Sequence, residues 1–141
     1  MQEPNRPDLG ELFSTATRRL IEAERPLLDK RGLTMWQYAT LTCLARSPAP
    51  TQLQLAAAIR YDKTRLIALL DQLEQERLVR REPDPSDRRA RIVRITPKGR
   101  RRYQTAAADI HAMEKELLSS LAPAERQALL TALPKLASRR G

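Results

Sequence analysis

At 141 residues the chain has room for one domain, or for one domain with dimerising extensions. Its 41% hydrophobic share holds only 4% aromatics and it has four Gly, which favours a mostly helical protein with a core of Leu, Ala, Ile and Val. A net charge of +9 suits a polyanionic partner, nucleic acid first and an anionic membrane second, while the lack of any run of 18 apolar residues excludes a transmembrane span.

The polar stretch from Met1 to Asp8 lacks the apolar core of a signal peptide, so a cytoplasmic location is expected. Leu9, Leu12, Phe13, Ala16, Leu20, Ala23 and Leu27 then form a helical stripe that Gly32 ends. Thr34 and Gln37 make a capping box, with Leu33 and Tyr38 placed as a hydrophobic staple, for a second helix reaching about Ala45. Ser47-Pro48-Ala49-Pro50 stops it. Thr51 and Gln54 form a second capping box opening a short helix to about Ile59, and Asp62 caps a fourth that ends near Arg77.

Leu78-Val79 and Ile92-Val93-Arg94-Ile95 read as a strand pair joined by a loop over Pro83-Asp84-Pro85-Ser86-Asp87-Arg88-Arg89-Ala90. Thr96 and Pro97 supply the N-cap and N1 proline of a long fifth helix through about Leu121. Pro123 starts a sixth helix with Leu129, Leu130, Leu133 and Leu136 as its apolar positions, and Pro134 is expected to kink it or end it early. The order of elements is that of a winged helix-turn-helix flanked by amphipathic helices. Pairing with a second copy is the economical way to cover the flanking stripes; packing within the chain is the alternative.

Charge is concentrated on the central unit: from Arg60 to Arg102, fourteen Lys and Arg stand against seven Asp and Glu. On the fourth helix, Leu66, Leu69, Leu70 and Leu73 define a buried face. Thr64 and Ala68 point the opposite way, flanked by Arg65 and Ile67, and Lys63 projects from the first turn. Recognition helices insert their N-terminal residues into a major groove. Thr64, Arg65 and Ala68 are therefore the base-edge candidates, with Arg65 able to give guanine two hydrogen bonds. Ala68 or Ile67 can pack on a thymine methyl, and Lys63 suits a phosphate. Asp71 and Glu74 would repel phosphate, so only the first two turns should approach DNA. An ordinary surface helix of mixed charge is the bland alternative.

Lys98, Arg100, Arg101 and Arg102 crowd the start of the fifth helix, where cations oppose the helix dipole. Phosphate contact, with Arg100 as the candidate, explains them; solubility alone is the competing reason. Trp36, Ala39 and Cys43 lie on one face of the second helix and Tyr38, Leu41, Leu44 and Ala45 on the other, so that helix should be buried between two layers. An effector pocket toward the first helix, lined by Phe13, Trp36 and Cys43, competes with tight packing without a cavity. His111 is the only histidine and Cys43 the only cysteine, which excludes a disulfide within the chain and a His/Cys-rich metal site. No cofactor is expected. Gly-rich phosphate loops and nucleophile arrangements are absent too, making an enzyme the poorest fit.

Asp87-Arg88-Arg89 with Arg91, followed by Ile95-Thr96-Pro97-Lys98-Gly99, closely resembles the wing of the multiple antibiotic resistance regulator (MarR) family. Leu33-Thr34-Met35-Trp36-Gln37-Tyr38 resembles that family's second-helix start. Leu69-Leu70-Asp71-Gln72-Leu73-Glu74 and Leu78-Val79-Arg80-Arg81 resemble the end of its recognition helix and its first strand. The likeness runs from about Leu9 to Leu136.

The resemblance implies a homodimeric transcriptional regulator, usually a repressor, of triangular winged-helix architecture. A single such domain over 1–141 is expected, with dimerisation helices at 8–31 and 105–138 around a winged helix-turn-helix at 34–102. Carried onto matching positions, Arg89 would enter the minor groove, Asp87 would brace the wing, and Arg88 and Arg91 would contact the DNA backbone. It also implies a small aromatic or phenolic effector and a pseudopalindromic operator in double-stranded DNA. Two departures stand out. Arg60 occupies a turn position where relatives often carry Gly, costing about 1 kcal/mol if its φ is positive. Leu12 to Thr17 lacks the reactive Cys of the peroxide-sensing branch. A non-specific architectural DNA-binding protein is the alternative function.

Overall fold

The computed structural model describes residues 5–138; residues 1–4 and 139–141, the ends of the expected single domain, lie outside the described residues. In chain order the elements are α1 (Leu9–Lys30), α2 (Met35–Arg46), α3 (Gln52–Ile59), α4 (Lys63–Gln75), β1 (Val79–Asp84), β2 (Asp87–Ile95), α5 (Pro97–Leu118) and α6 (Pro123–Ala137). The protein is mostly α with one antiparallel hairpin, a winged helix-turn-helix between flanking helices, as the sequence indicates.

Local chemistry sets most boundaries. Both capping boxes form: Thr34 Oγ1 accepts from the Gln37 N–H at 3.2 Å, and Thr51 Oγ1 from that of Gln54 at 3.1 Å. In return, the Gln37 and Gln54 side chains accept the N–H groups of Thr34 and Thr51. Asp62 caps α4 through the Arg65 N–H at 2.9 Å.

Three helices end alike, on a left-handed residue whose neighbours close the last turn. Gly32 (φ 69°) does this after α1, where the Leu33 N–H bonds to the Leu28 carbonyl at 2.9 Å. Arg60 (φ 55°) ends α3 and Arg77 (φ 63°) ends α4, so two of the three exits use an arginine where glycine would be unstrained. The left-handed Arg77 is also why α4 stops at Gln75 rather than near Arg77.

The hairpin is longer than the apolar runs suggest. Strand pairing starts at Val79↔Ile95 and continues outward to Asp84↔Asp87, so most of the expected loop is strand. A register slip between Pro83 and Asp84 accommodates a proline that cannot donate to the ladder. The connection before α3 also contributes: Val93 N–H bonds to the Pro50 carbonyl at 2.9 Å and Thr51 bridges Ile92. This segment tethers the hairpin to the helix-turn-helix.

Two helix ends also differ from expectation. α5 stops at Leu118, three residues short of Leu121. α6 is not ended by Pro134 but runs on to Ala137, and the Ser138 N–H still reaches the Pro134 carbonyl at 3.0 Å. A proline on so exposed a helix leaves its freed carbonyl open to water, which softens the penalty.

Leu28, Leu41, Leu66, Leu70, Val93 and Ile110 represent a core drawn from α1, α2, α4, β2 and α5. α2 packs against α1, α3, α5 and β2, consistent with its two apolar faces. The flanks are different. α6 has no buried residue, with Leu129, Leu130 and Leu136 exposed, and Leu9, Leu12 and Phe13 are exposed on α1. Among the described residues no helix is long and apolar enough to cross a membrane.

Candidate nucleic-acid interface

The four leucines of α4, Leu66, Leu69, Leu70 and Leu73, are all buried, which fixes the rotation of the helix. Its other side is therefore presented outward: Lys63, Thr64, Arg65, Ile67 and Ala68 are all exposed. Ile67 keeps 47% of its surface in water without any packing reason for an isoleucine there. Asp62, spent on the Arg65 N–H, leaves the Arg65 guanidinium without an ion pair among the described residues.

The wing carries the second group. Arg88, Arg89 and Arg91 are exposed along the outer part of β2. Asp87 Oδ1 accepts the Arg89 N–H at 3.0 Å and Asp84 Oδ1 accepts the Ser86 N–H at 2.9 Å, so the two acids of the tip hold its backbone. Nearer the body, Arg94 Nε donates to Glu82 at 2.6 Å across the strands. None of the three outer arginines makes a close ion pair among the described residues, and Arg91 is near enough to Glu74 to help lower its pKa.

One residue that the sequence did not single out joins these parts. Arg81, on β1, donates from Nη2 to Asp71 at 2.5 Å and to Glu74 at 2.8 Å, while its N–H bonds to the other Glu74 oxygen at 3.1 Å. Its Nη1 reaches Gln52 on α3 at 3.5 Å. The hydrogen bond from the Arg81 side chain, with that from its backbone, holds the Glu74 carboxyl below its usual pKa. Asp71 and Glu74 are thus counterions to Arg81. Their charge does not stand alone toward phosphate.

The cations opening α5 also have partners. Lys98 Nζ donates to the Glu76 carbonyl at 2.9 Å, Arg102 stands 3.8 Å from the Glu76 carboxylate, and Arg100 reaches the Ala45 carbonyl at 3.5 Å. The helix ends they serve are the C-termini of α4 and α2, where positive charge is favourable. That resolves the apparent conflict with the dipole of α5, and leaves Arg100 engaged on the body while still exposed.

The proposed pocket residues line neither of two cavities of the chain. Trp36 is 42% exposed and its ring meets Tyr61 at a centroid distance of 4.4 Å, beside the turn into α4. Phe13 is exposed on the first half of α1, and Cys43 is half-buried. Two cavities of the chain, one over Gly32 and one beside Leu33, are lined by other residues. Among the described residues no three His, Cys, Asp or Glu side chains gather as a metal site.

Comparison with known proteins matches residues 33–90 to the family model described as MarR family. The transcriptional repressor CouR, bound to a 23-mer DNA duplex, is 30% identical, with 93% of each chain covered and a TM-score of 0.84. A transcriptional regulator (MarR family) from Rhodococcus sp. RHA1 is 26% identical over 92% of each chain, with a TM-score of 0.83. CouR from Rhodococcus jostii RHA1 bound to p-coumaroyl-CoA shares the fold at 23% identity and a TM-score of 0.80, over 95% of this chain and 94% of that one.

Proposed function

The chain belongs to the MarR family of transcriptional regulators, and on that premise we propose that it acts as a homodimer on a pseudopalindromic operator in double-stranded DNA. It represses transcription until a small-molecule effector releases it, works by binding rather than catalysis, and does so in the cytoplasm. The observation that carries this reading is the pairing of an outward α4 face with three exposed wing arginines on one braced body. Lys63, Thr64, Arg65, Ile67 and Ala68 enter the major groove. Arg89 enters the flanking minor groove, with Arg88, Arg91 and Arg100 on the backbone and Asp87 holding the tip.

Dimerisation is supported by the uncovered leucines of α6 and by Leu9, Leu12 and Phe13 of α1. The helices of 8–31 and 105–138 pair with those of a second protomer, and 34–102 forms each DNA-binding head of the single 1–141 domain. A small aromatic or phenolic effector is the proposed ligand. Phe13, Trp36 and Cys43 line its pocket only once a second protomer covers α1.

Selection of bound duplexes from a random pool at fixed, near-physiological salt tests the reading. An enriched inverted repeat with half-sites about one helical turn apart is expected. Equal, salt-dependent affinity for every duplex would instead make this a non-specific architectural protein.

A further inference from the structure

A second cationic surface joins α5 to the end of α1 and includes none of the α4 or wing residues proposed to meet DNA. Lys98, Arg101, Arg102 and Thr105 recur at i, i+3, i+4 and i+7, which puts them on one face of α5. Across an open groove of about 520 Å³ stand Lys30, Arg31 and Gly32, where α1 ends. The Arg102 guanidinium passes directly over Gly32; a Cβ there would sit 3.6 Å from its Nη1.

The lining decides what chemistry fits. Five of its seven residues are cations, and the other two are Gly32 and Thr105, so no aromatic or aliphatic residue lines it. Two carboxylates answer the five cations: Asp109 holds Arg31 at 2.8 Å and Glu76 stands 3.8 Å from Arg102. Neither the Lys30 ammonium nor the Arg101 guanidinium makes a hydrogen bond or close ion pair among the described residues, although Lys30 helps Arg31 hold the Asp109 pKa down. Five cations against two carboxylates leave three positive charges over. An aromatic monoanion would match one of them. Two adjacent phosphates match nearly all, and the guanidinium forks suit their paired oxygens.

Position argues against DNA as the occupant. The groove adjoins the C-terminal end of α4, through Lys98 on the Glu76 carbonyl, and the base of the hairpin. The base-reading candidates lie at the other end of α4, about 18 Å along its axis. The wing tip is about 25 Å up β2 from Ile95. Of the residues proposed to contact DNA, only Arg100 adjoins the groove in sequence, and it is not among the residues that line it.

We propose that this groove binds a small molecule carrying a diphosphate, the chemistry shared by nucleoside diphosphates and coenzyme A thioesters. The ligand's oxygens compete with Glu76 for Arg102 and Lys98, and so loosen the C-terminal turn of the recognition helix. The site goes beyond the function proposed above; its effect on DNA rests on that reading.

Calorimetric titration of the full chain without DNA tests the site, using inorganic pyrophosphate, ADP and coenzyme A as probes. Wild type is expected to bind pyrophosphate saturably, and a Lys30→Gln/Arg101→Gln variant to bind it at least tenfold more weakly with an unchanged Tm, since both side chains are exposed. ADP binding more tightly than coenzyme A assigns the site to nucleotides, and the reverse order to thioesters. Absent binding, or equal binding by the variant, overturns the proposal. The same variant should hold its selected duplex within twofold of wild type in the absence of ligand. A tenfold loss with a shallower salt dependence would give the groove to DNA phosphates and overturn it as well. Because the titration contains no DNA, its failure is distinct from a failure of the duplex selection.

Discussion

Arg81 and Glu74 lock the wing to the recognition helix. The guanidinium of the first lies 2.8 Å from one oxygen of the second, and the Arg81 backbone N–H takes the other. Only 13% of the Arg81 side chain is exposed, whereas Asp71 is mostly exposed and Glu74 half-buried. Arg81→Met should therefore cost about 1–2 kcal/mol in urea unfolding, the range for hydrogen bonds to charged groups reduced by solvent screening. Operator affinity should fall more than stability implies, because hairpin and helix lose their common anchor. Unchanged affinity in a folded variant would mean the wing finds its place without this contact.

The same pair sets a pH dependence. Glu74 has a lowered pKa in the folded chain, so its contribution is present above the ordinary carboxylate value of 4.5 and is lost as pH falls through the lowered one. Glu24 opposes it: burial, and then Glu114, raise its pKa, so it favours the folded state on the acid side of the same range. Melting curves of wild type and Arg81→Met should differ at pH 7 and converge in strong acid. A gap that persists there would remove Glu74 from the explanation.

Arg65 and Arg89 should fail in different ways. Arg65→Ala is expected to relax preference at particular base pairs by about 1–3 kcal/mol. Arg89→Ala should weaken all duplexes and lower the salt slope by about one. Affinities for operator and single-base variants at several salt concentrations separate the two, and a uniform loss for Arg65→Ala refutes its base-reading role.

Arg60 holds a left-handed conformation at φ 55° on an exposed turn. Arg60→Gly removes that strain but gives the unfolded chain more freedom, so a net gain of about 0.5–1 kcal/mol is expected. The urea midpoint should rise. A fall would show that the arginine side chain outweighs its backbone.

Gly99 lets the first turn of α5 come close against the backbone of Leu78. A Cβ there would lie 2.0 Å from the Leu78 carbonyl oxygen, a backbone atom that cannot swing aside. Gly99→Ala should destabilise by about 2–4 kcal/mol and push α5 away from Leu78, the residue before β1. Urea unfolding measures the first effect, and a loss under 1 kcal/mol would mean the junction yields easily.

The caps, the N1 prolines and the buried face of α4 were legible because each depends on residues three or four apart. The wing was only half legible. Arg88-Arg89-Ala90-Arg91 has no apolar alternation, since that part of the hairpin leaves the core and both faces meet solvent. The Arg81 latch was hidden for another reason: its partners, Gln52, Asp71 and Glu74, are brought to it by hairpin register rather than by local spacing. Apolar character and helix face alone pointed to Phe13, Trp36 and Cys43, and neither the cavity over Gly32 nor the one beside Leu33 is lined by them. The cations of α5 were visible, but their partners, carbonyls at the ends of other helices for Lys98 and Arg100 and the Glu76 carboxylate for Arg102, are marked by no sequence pattern.

α5 runs unbroken from Pro97 to Leu118, a rod about 33 Å long. One end is fastened to the hairpin base and the last turn of α4, and the other leads into α6. On a rod of that length, tilting by about five degrees displaces the far end by about 3 Å, close to the rise between successive bases of a DNA strand. In a pair of protomers the two displacements add. Half-site spacing then becomes a matter of angle, and a modest push near the pivot puts both heads out of step with the groove.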